Sequence, residues 1–570
     1  MTIGELLTEQ ARARPQALAL VDDREGRTLS FAGLADEVGH AAAWWQSHGL
    51  RRGQAVLVFV PMSADLYVAL LALFRLGAVA LFLDPSAGRE HIDHCCSRWA
   101  PDALLAISKA HLLRLRSRAL RRIPIKASIG CWIPGARGWP RRWRNETFAV
   151  DLAEPEDPAL VTFTSGSTGV PKAGLRTHRF LLAQYRALES SIALTTGEVD
   201  LAEPEDPALV TFTSGSTGVP KAGLRTHRFL LAQYRALESS IALTTGEVDL
   251  ATLPVFVLAN LAAGVTTVIP DVDLRRPGAV DAGRVFAQIE RHGVTRLTAS
   301  PAFMERLIEY GRASGRTLPA LRKLYTGGAP VFPRLLEALR EFAPMAEAVA
   351  VYGSTEAEPI AHVERAAMRP DDLEAMRSGR GLLAGTPVQE VTLRILQDRW
   401  GTPRAEMTAA EFARETKPPG EAGEIVVTGE HVLKGYLGGV GDDETKFQVG
   451  GKTWHRTGDA GFMDEFGRLW LLGRCVAKID GIQGSLYPLG IECAAMAHPE
   501  VRRAAALSHA GKRLLVIEAD EDESLEVRLR KATAWASLDE VIFVNSMPVD
   551  KRHNAKIDYP ALRRQFLSGR

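Results

Sequence analysis

Pro158–His178 reads PALVTFTSGSTGVPKAGLRTH, and Pro207–His227 reads the same. Both stretches lie in a 49-residue block that stands twice in tandem, Asp151–Val199 and Asp200–Val248, without one substitution. Solenoid and propeller repeats share a spaced pattern over three or more units rather than identity, so this is a duplicated piece of one larger domain. In each copy an apolar run, PALVTFT, enters a string of small hydroxyl and glycine residues that ends in Val-Pro-Lys, and a helical pattern, RFLLAQYRALESS, lies beyond. Such residues let backbone N–H groups turn inward as an anion-binding nest, to which a lysine adds a point charge. The expectation is a phosphate cradle at a strand-to-helix turn. Its residues are Thr164, Ser165, Gly166, Ser167, Thr168, Gly169 and Lys172 in the first copy, and Thr213, Ser214, Gly215, Ser216, Thr217, Gly218 and Lys221 in the second. The loop is not a Walker A motif, because Gly-Lys-Ser/Thr is absent.

Outward from the loop, β-rich runs (AVLVFV, TTVIP, AVAVYG, EIVVTG) alternate with helical patterns (FAQIERHG, PAFMERLIEYGR, LLEALREFAP), which predicts an α/β domain with parallel strands. GRLWLLGR reads as the last strand of this body, residues 1–474. Residues 475–570 hold their own strands, RLLVIEA and DEVIFV, and helices near Ala494 and Leu525, enough for a small α+β domain with a hinge at Cys475–Lys478.

Composition excludes several classes. With 46% apolar and 24% charged residues the chain is too apolar for disorder, and 69 basic against 68 acidic side chains disfavour nucleic acid as a partner. Five scattered cysteines form no C-x-x-C pair, and the start lacks a secretory signal, so a reducing cytoplasm is expected. Leu66–Leu83 approaches the length of a membrane span, but Arg75 at its centre and Gly77 favour a buried helix running into a buried parallel strand. His91, His94 and Cys95 lack a fourth metal ligand and read as ordinary helix residues. Between Lys109 and Arg144 the chain is strongly basic, with Trp132, Trp139 and Trp143 interleaved; this region alone has peripheral-membrane or pathway-enzyme docking character, and a solvated helix face followed by a loop is the plainer reading.

Five motifs in order carry a resemblance to the adenylate-forming superfamily of acyl-CoA synthetases, luciferases and nonribosomal peptide adenylation domains: the loop, GGAP (Gly327–Pro330), YGSTEAE (Tyr352–Glu358), HRTGD (His455–Asp459) and HNAKID around Lys556. The resemblance implies a large AMP-binding domain with mixed and parallel sheets and a small mobile C-terminal domain. It implies ATP and Mg²⁺, with Gly328, Ala329 and Pro330 at the adenine edge, Tyr352 stacked on adenine, and Gly353, Ser354 and Thr355 near phosphate. It also implies Glu356 on Mg²⁺, Asp459 on the ribose hydroxyls, Arg474 beside ribose or phosphate, and Lys556 as the mobile lysine shared by carboxylate and α-phosphate. Carboxylate attack on an α-phosphorus joins two anions, so a set of cations there makes chemical sense.

Within that superfamily VLVFVPMSADLYVALLALFRLGAVALFLDPSAGREHI, VIPDVDLRRPGAVD, GSLYPLGIECAAMAHPEV and PVDKRHNAKI are similar to the β-lactone synthetases of bacterial long-chain olefin biosynthesis. That likeness implies activation of a long-chain β-hydroxy acid and ring closure by its own hydroxyl, without CoA. Ala477 stands where CoA ligases carry aspartate or lysine, Ile482-Gln483 replaces a glycine pair, and Val257 stands where many carry histidine. Long-chain acyl-CoA ligase, with CoA as co-substrate, is the alternative, and an inactive binding relic the second: Ala173 and Ala222 replace the glycine usual after the loop lysine. Because the second copy runs on into DLATLPVFV, it is expected to keep a crossover to the next parallel strand, with Ser214–Lys221 as the working loop and the first copy extruded.

Overall fold

The computed structural model describes residues 3–76, 78–82, 92–93, 96, 100–140, 158–165, 171–177, 207–214, 220–226, 243–252, 254–274, 276–354, 356–436, 441–480, 484–549 and 556–567. The chain divides into two compact units, residues 1–271 with 430–443, and residues 272–429 with 444–570. Residues 475–570 belong to the second unit, so compactness draws its line elsewhere than at Arg474.

In the first unit a ten-stranded sheet is built on four parallel strands: Val79–Phe82, Ala55–Phe59, Ala103–Ile107 and Ile125–Ile129. Their runs are nearly all apolar and buried, as strands covered on both faces must be. Helix Ala64–Arg75 begins where the Ser63 hydroxyl accepts the Leu66 N–H at 3.3 Å, and every residue from Ala64 to Phe74 is buried. The apolar stretch is thus a buried helix followed by a buried strand, and no helix among the described residues is long and apolar enough to cross a membrane.

The duplicated block departs from expectation. The loop does not lead directly into a helix: Pro158–Ser165 turns back into Pro171–Thr177 as an antiparallel hairpin, and Pro207–Ser214 into Pro220–Thr226 in the same register. Neither hairpin is extruded from the sheet. The first copy's outer strand lies parallel to Val79–Phe82, the second copy's return strand pairs with Gly435–Tyr436, and the two hairpins meet at Leu209 and Arg176. The expected crossover also fails, because Val248–Ala251 joins a different sheet, parallel to Thr266–Ile269, while Pro254–Ala263 is a helix rather than a strand. The patterns RFLLAQYRALESS, the residues His91, His94 and Cys95, and Trp143 lie outside the described residues.

In the second unit Arg296–Ala299, Lys323–Gly327 and Glu347–Ser354 run parallel. Ala357–Glu364 then folds back antiparallel, and Leu382–Pro387, Leu469–Arg474, Lys452–Met463, Gly423–Gly429 and Val391–Leu396 continue the sheet. Helix Ala282–His292 is capped by Asp281, which accepts the Arg284 N–H at 3.2 Å, and stops at Gly293 in the left-handed region. The last strands, Arg503–His509, Lys512–Glu518 and Glu540–Val544, form a separate small sheet with helices Pro488–Met496 and Glu523–Ala532. The hinge expected at Cys475–Lys478 coincides with a single 3₁₀ turn, Cys475–Ala477, after which Lys478 pairs with Asp398 at 3.4 Å.

Candidate active site

Two adjacent parallel strands end together. Lys323–Gly327 runs beside Glu347–Ser354, with Gly327 opposite Val351. A Cβ at Gly327 would lie 2.6 Å from the Val351 carbonyl oxygen, so only glycine permits this approach, and Gly328 (φ +81°) then turns the chain toward Ala329 and Pro330. Tyr352, Gly353 and Ser354 close the neighbouring strand; Glu356, half-buried, sits in the turn that leads to Ala357–Glu364. The carboxyl ends of parallel strands are where open α/β sheets bind ligands.

Asp459 is brought to Tyr352 from another part of the chain. It stands on the strand Lys452–Met463 opposite Arg474 of Leu469–Arg474. The Tyr352 hydroxyl donates to Asp459 Oδ2 at 2.8 Å, and Arg474 Nη1 donates to Oδ1 at 2.9 Å. Loss of hydration first, and the Asp459 carboxylate second, hold the Tyr352 phenol well above its usual range, so it stays an O–H donor. The same carboxylate pushes the Arg474 guanidinium up. An ionised carboxylate offers about four acceptor sites, so two donors leave Asp459 able to accept further hydrogen bonds from ligand hydroxyls.

The rest of HRTGD holds that aspartate still. Thr457 Oγ1 accepts the Asp459 N–H at 3.1 Å and donates to the Ile425 carbonyl at 2.9 Å. Gly458 (φ +72°) packs where a Cβ would meet Trp400 at 2.9 Å. Arg456, fully buried, is a structural residue: it forms a two-point pair with Glu424 at 2.8 and 2.9 Å and donates to the Thr402, Glu444 and Arg399 carbonyls.

Among the described residues, Ser354 Oγ and Thr326 Oγ1 are buried without a hydrogen-bond partner. Two such hydroxyls at the ends of the paired strands suit a polar ligand, since buried hydroxyls are ordinarily satisfied. Thr326 is not singled out by the motifs, although it precedes GGAP directly at the strand end. The Tyr352–Asp459 bond, which joins residues 107 positions apart, had no signal in spacing.

The other expected residues are described only in part. Thr164 faces Lys172 across the first hairpin, and Thr213 faces Lys221 across the second, with Ser165 and Ser214 next toward each loop. Gly166, Ser167, Thr168, Gly169, Gly215, Ser216, Thr217, Gly218 and Thr355 lie outside the described residues. Lys556 is exposed, next to Ile557, which bridges to Val549. Trp139 is not a surface residue: it is buried against Trp44 and Trp45, with ring centroids 5.3 and 5.8 Å away, whereas Trp132 is 77% exposed.

The profile of the AMP-binding enzyme family matches residues 7–201 and again 191–437, and the chain belongs to this family. It is an ATP-dependent, AMP-forming ligase. Over 97% of its length it is 30% identical to an olefin β-lactone synthetase of Stenotrophomonas maltophilia, covering 96% of that protein. It is 31% identical to an olefin β-lactone synthetase of Xanthomonas campestris over 93% of this chain and 89% of the relative. The fold is similar to that of the anthranilate CoA ligase AuaEII in complex with anthranoyl-AMP, with a TM-score of 0.72 at 17% identity over 99% of this chain and 97% of that one.

Proposed function

We propose that this ligase activates a long-chain β-hydroxy fatty acid with ATP and closes it to a β-lactone without CoA. The carboxylate attacks the α-phosphorus and expels pyrophosphate; the substrate's own β-hydroxyl then attacks the acyl carbonyl, loses its proton and displaces AMP. Acid and ATP thus give lactone, AMP and pyrophosphate. The observation that carries the reading is the near-full-length likeness to two olefin β-lactone synthetases. Ala477 and Ile482-Gln483, which depart from the CoA-ligase pattern, support it.

In this reading Asp459 accepts from the ribose hydroxyls, with Tyr352 and Arg474 fixing its two oxygens. Gly328, Ala329 and Pro330 border the adenine, and Ser354 Oγ and Thr326 Oγ1 donate to the nucleotide. Glu356 offers the hard carboxylate oxygen that Mg²⁺ prefers, and Mg²⁺ would supply charge neutralisation on the phosphates. Lys221 meets the departing pyrophosphate and Lys556 the carboxylate and α-phosphate. The second copy, Ser214–Lys221, is the loop proposed to work; its return strand pairs with Gly435–Tyr436, a pairing the first copy lacks. Residues 475–570 serve as a lid that excludes water from the acyl-adenylate, hinged at Cys475–Ala477. The apolar helix Pro254–Ala263, with Val257 and Leu261 buried, suits a long acyl chain.

A peripheral contact with anionic lipid is a second element of the proposal. Leu112, Leu115 and Trp132 are 62, 74 and 77% exposed, and Arg116, Arg118, Arg121 and Arg122 are exposed along the same stretch. Cosedimentation with anionic but not neutral vesicles is expected.

Mass spectrometry of the product tests the main reading. A long-chain β-hydroxy acid with ATP and Mg²⁺ is expected to give a product lighter than the acid by one water, with or without CoA; a thioester formed only with CoA would overturn it.

A further inference from the structure

Helix Pro488–Met496 is buried along its whole length, and Glu492 is its one ionisable carboxylate. A carboxylate in such surroundings persists only when hydrogen-bonded. Glu492 Oε1 accepts the Ala506 N–H from strand Arg503–His509 at 3.1 Å and the hydroxyl of Tyr559. Tyr559 stands three residues after Lys556 and opens the short helix Tyr559–Leu562.

The segment between them is tied on both sides. Ile557 bridges to Val549, and the Asp558 N–H donates to the Pro548 carbonyl at 2.9 Å. Asp558 caps the following turn by accepting the Ala561 N–H at 2.9 Å, while Leu562 is fully buried and Ile557 and Tyr559 pack against the same apolar cluster. Lys556 therefore leaves from a backbone whose position is set by these bonds, and the Glu492–Tyr559 contact ties that segment to the buried helix.

We propose that Glu492 and Tyr559 form a clamp that positions Lys556 for acid activation. The inference rests on the reading of Lys556 given above. The groups facing Glu492 are the Tyr559 phenol, the Ala506 N–H and the adjacent Cys493 thiol; Arg563, whose charge acts on Tyr559, donates to the Ser508 carbonyl at 2.5 Å. Burial pushes the Glu492 carboxyl up to about 7, with the bonds from Tyr559 and Ala506 opposing the rise. Ionisation strengthens both bonds, since an anionic acceptor is the stronger one, so the clamp tightens as pH rises. Stability moves the other way. A folded-state value raised from 4.5 to about 7 contributes stability that is fully present below 4.5 and is lost as pH rises through about 7.

The test measures single-turnover pyrophosphate release and thermal melting of the full-length chain between pH 6 and pH 8.5. The wild-type rate is expected to rise with pH through about 7 while the melting midpoint falls. Tyr559→Phe is expected to lower the rate about tenfold at unchanged KM for ATP, the cost of one hydrogen bond to a charged group. Glu492→Gln, a neutral acceptor like the protonated carboxyl, should hold the rate within about twofold of the low-pH wild-type value at every pH, because it lacks the stronger anionic acceptor, and should remove the pH-dependent limb. A wild-type rate in Tyr559→Phe alongside a crippled Lys556→Ala overturns the clamp, as does a limb that persists in Glu492→Gln. A wild-type rate in Lys556→Ala removes the reading of Lys556, and the clamp with it.

Discussion

The residues around Asp459 occur once and the loop occurs twice, and the structure treats the two cases differently. Tyr352, Asp459 and Arg474 close on one another through specific bonds from three strands, so each has a single place. The two loop hairpins share an identical internal register, down to the irregularity after Pro158 and after Pro207, yet one lies beside Val79–Phe82 and the other beside Gly435–Tyr436. Local sequence therefore sets the hairpin, and chain connection sets its neighbours. The seam between the copies is a single registered pair, Leu209 with Arg176.

The largest effect expected separates the copies. Lys221→Ala should lower pyrophosphate release by roughly 10²–10³, the usual loss for one group that stabilises developing charge, while Lys172→Ala should leave it unchanged within about twofold and add nothing when combined. The reverse pattern would move the site to the first copy, and loss in neither would show that the copies substitute for each other. The single-copy region allows no substitution. Asp459→Ala deletes two hydrogen bonds that join charged groups, about 1.5 kcal/mol each, so kcat/KM for ATP should fall roughly 10²-fold; a steady-state titration with ATP that gives wild-type values would remove Asp459 from the site. Tyr352→Phe removes one of the two and should cost about tenfold in the same measurement.

The smallest effect concerns the seam. Excising Asp151–Val199 or Asp200–Val248 gives the same chain, in which one hairpin must reach both neighbours. Because the extra copy adds ordered strands joined by so little pairing, the melting midpoint should rise by roughly 2–4 °C, the change that about 1 kcal/mol produces in a domain of this kind. A lower midpoint would mean that both hairpins are integral to the sheet.

Much of this was legible in the sequence, for reasons particular residues make plain. AVLVFV, TTVIP and AVAVYG are short apolar runs and became buried strands, while the 3.6-residue spacing of FAQIERHG and PAFMERLIEYGR became helices. The hairpin was not legible, because PKAGLRT carries two small residues, Ala173 and Gly174, where a strand would normally declare itself with β-branched side chains. Sheet membership of Val248–Ala251 was likewise hidden, since four residues pair equally well in either sheet until long-range contacts choose. The burial of Trp139 is not legible, because the basic stretch around it reads as a solvated or docking face and the covering pair Trp44 and Trp45 lies far away along the chain. The site motifs gave Tyr352 and Asp459 by resemblance, but the bond between them is a product of the fold.

The most direct test of the account is acid-dependent pyrophosphate release by the full-length duplicated chain, supplied with ATP, Mg²⁺ and a long-chain β-hydroxy acid in the absence of CoA. The account predicts release that depends on the acid, is faster with the long chain than with acetate, and is unchanged when CoA is added. No release with any acid, or release only once CoA is present, would contradict it.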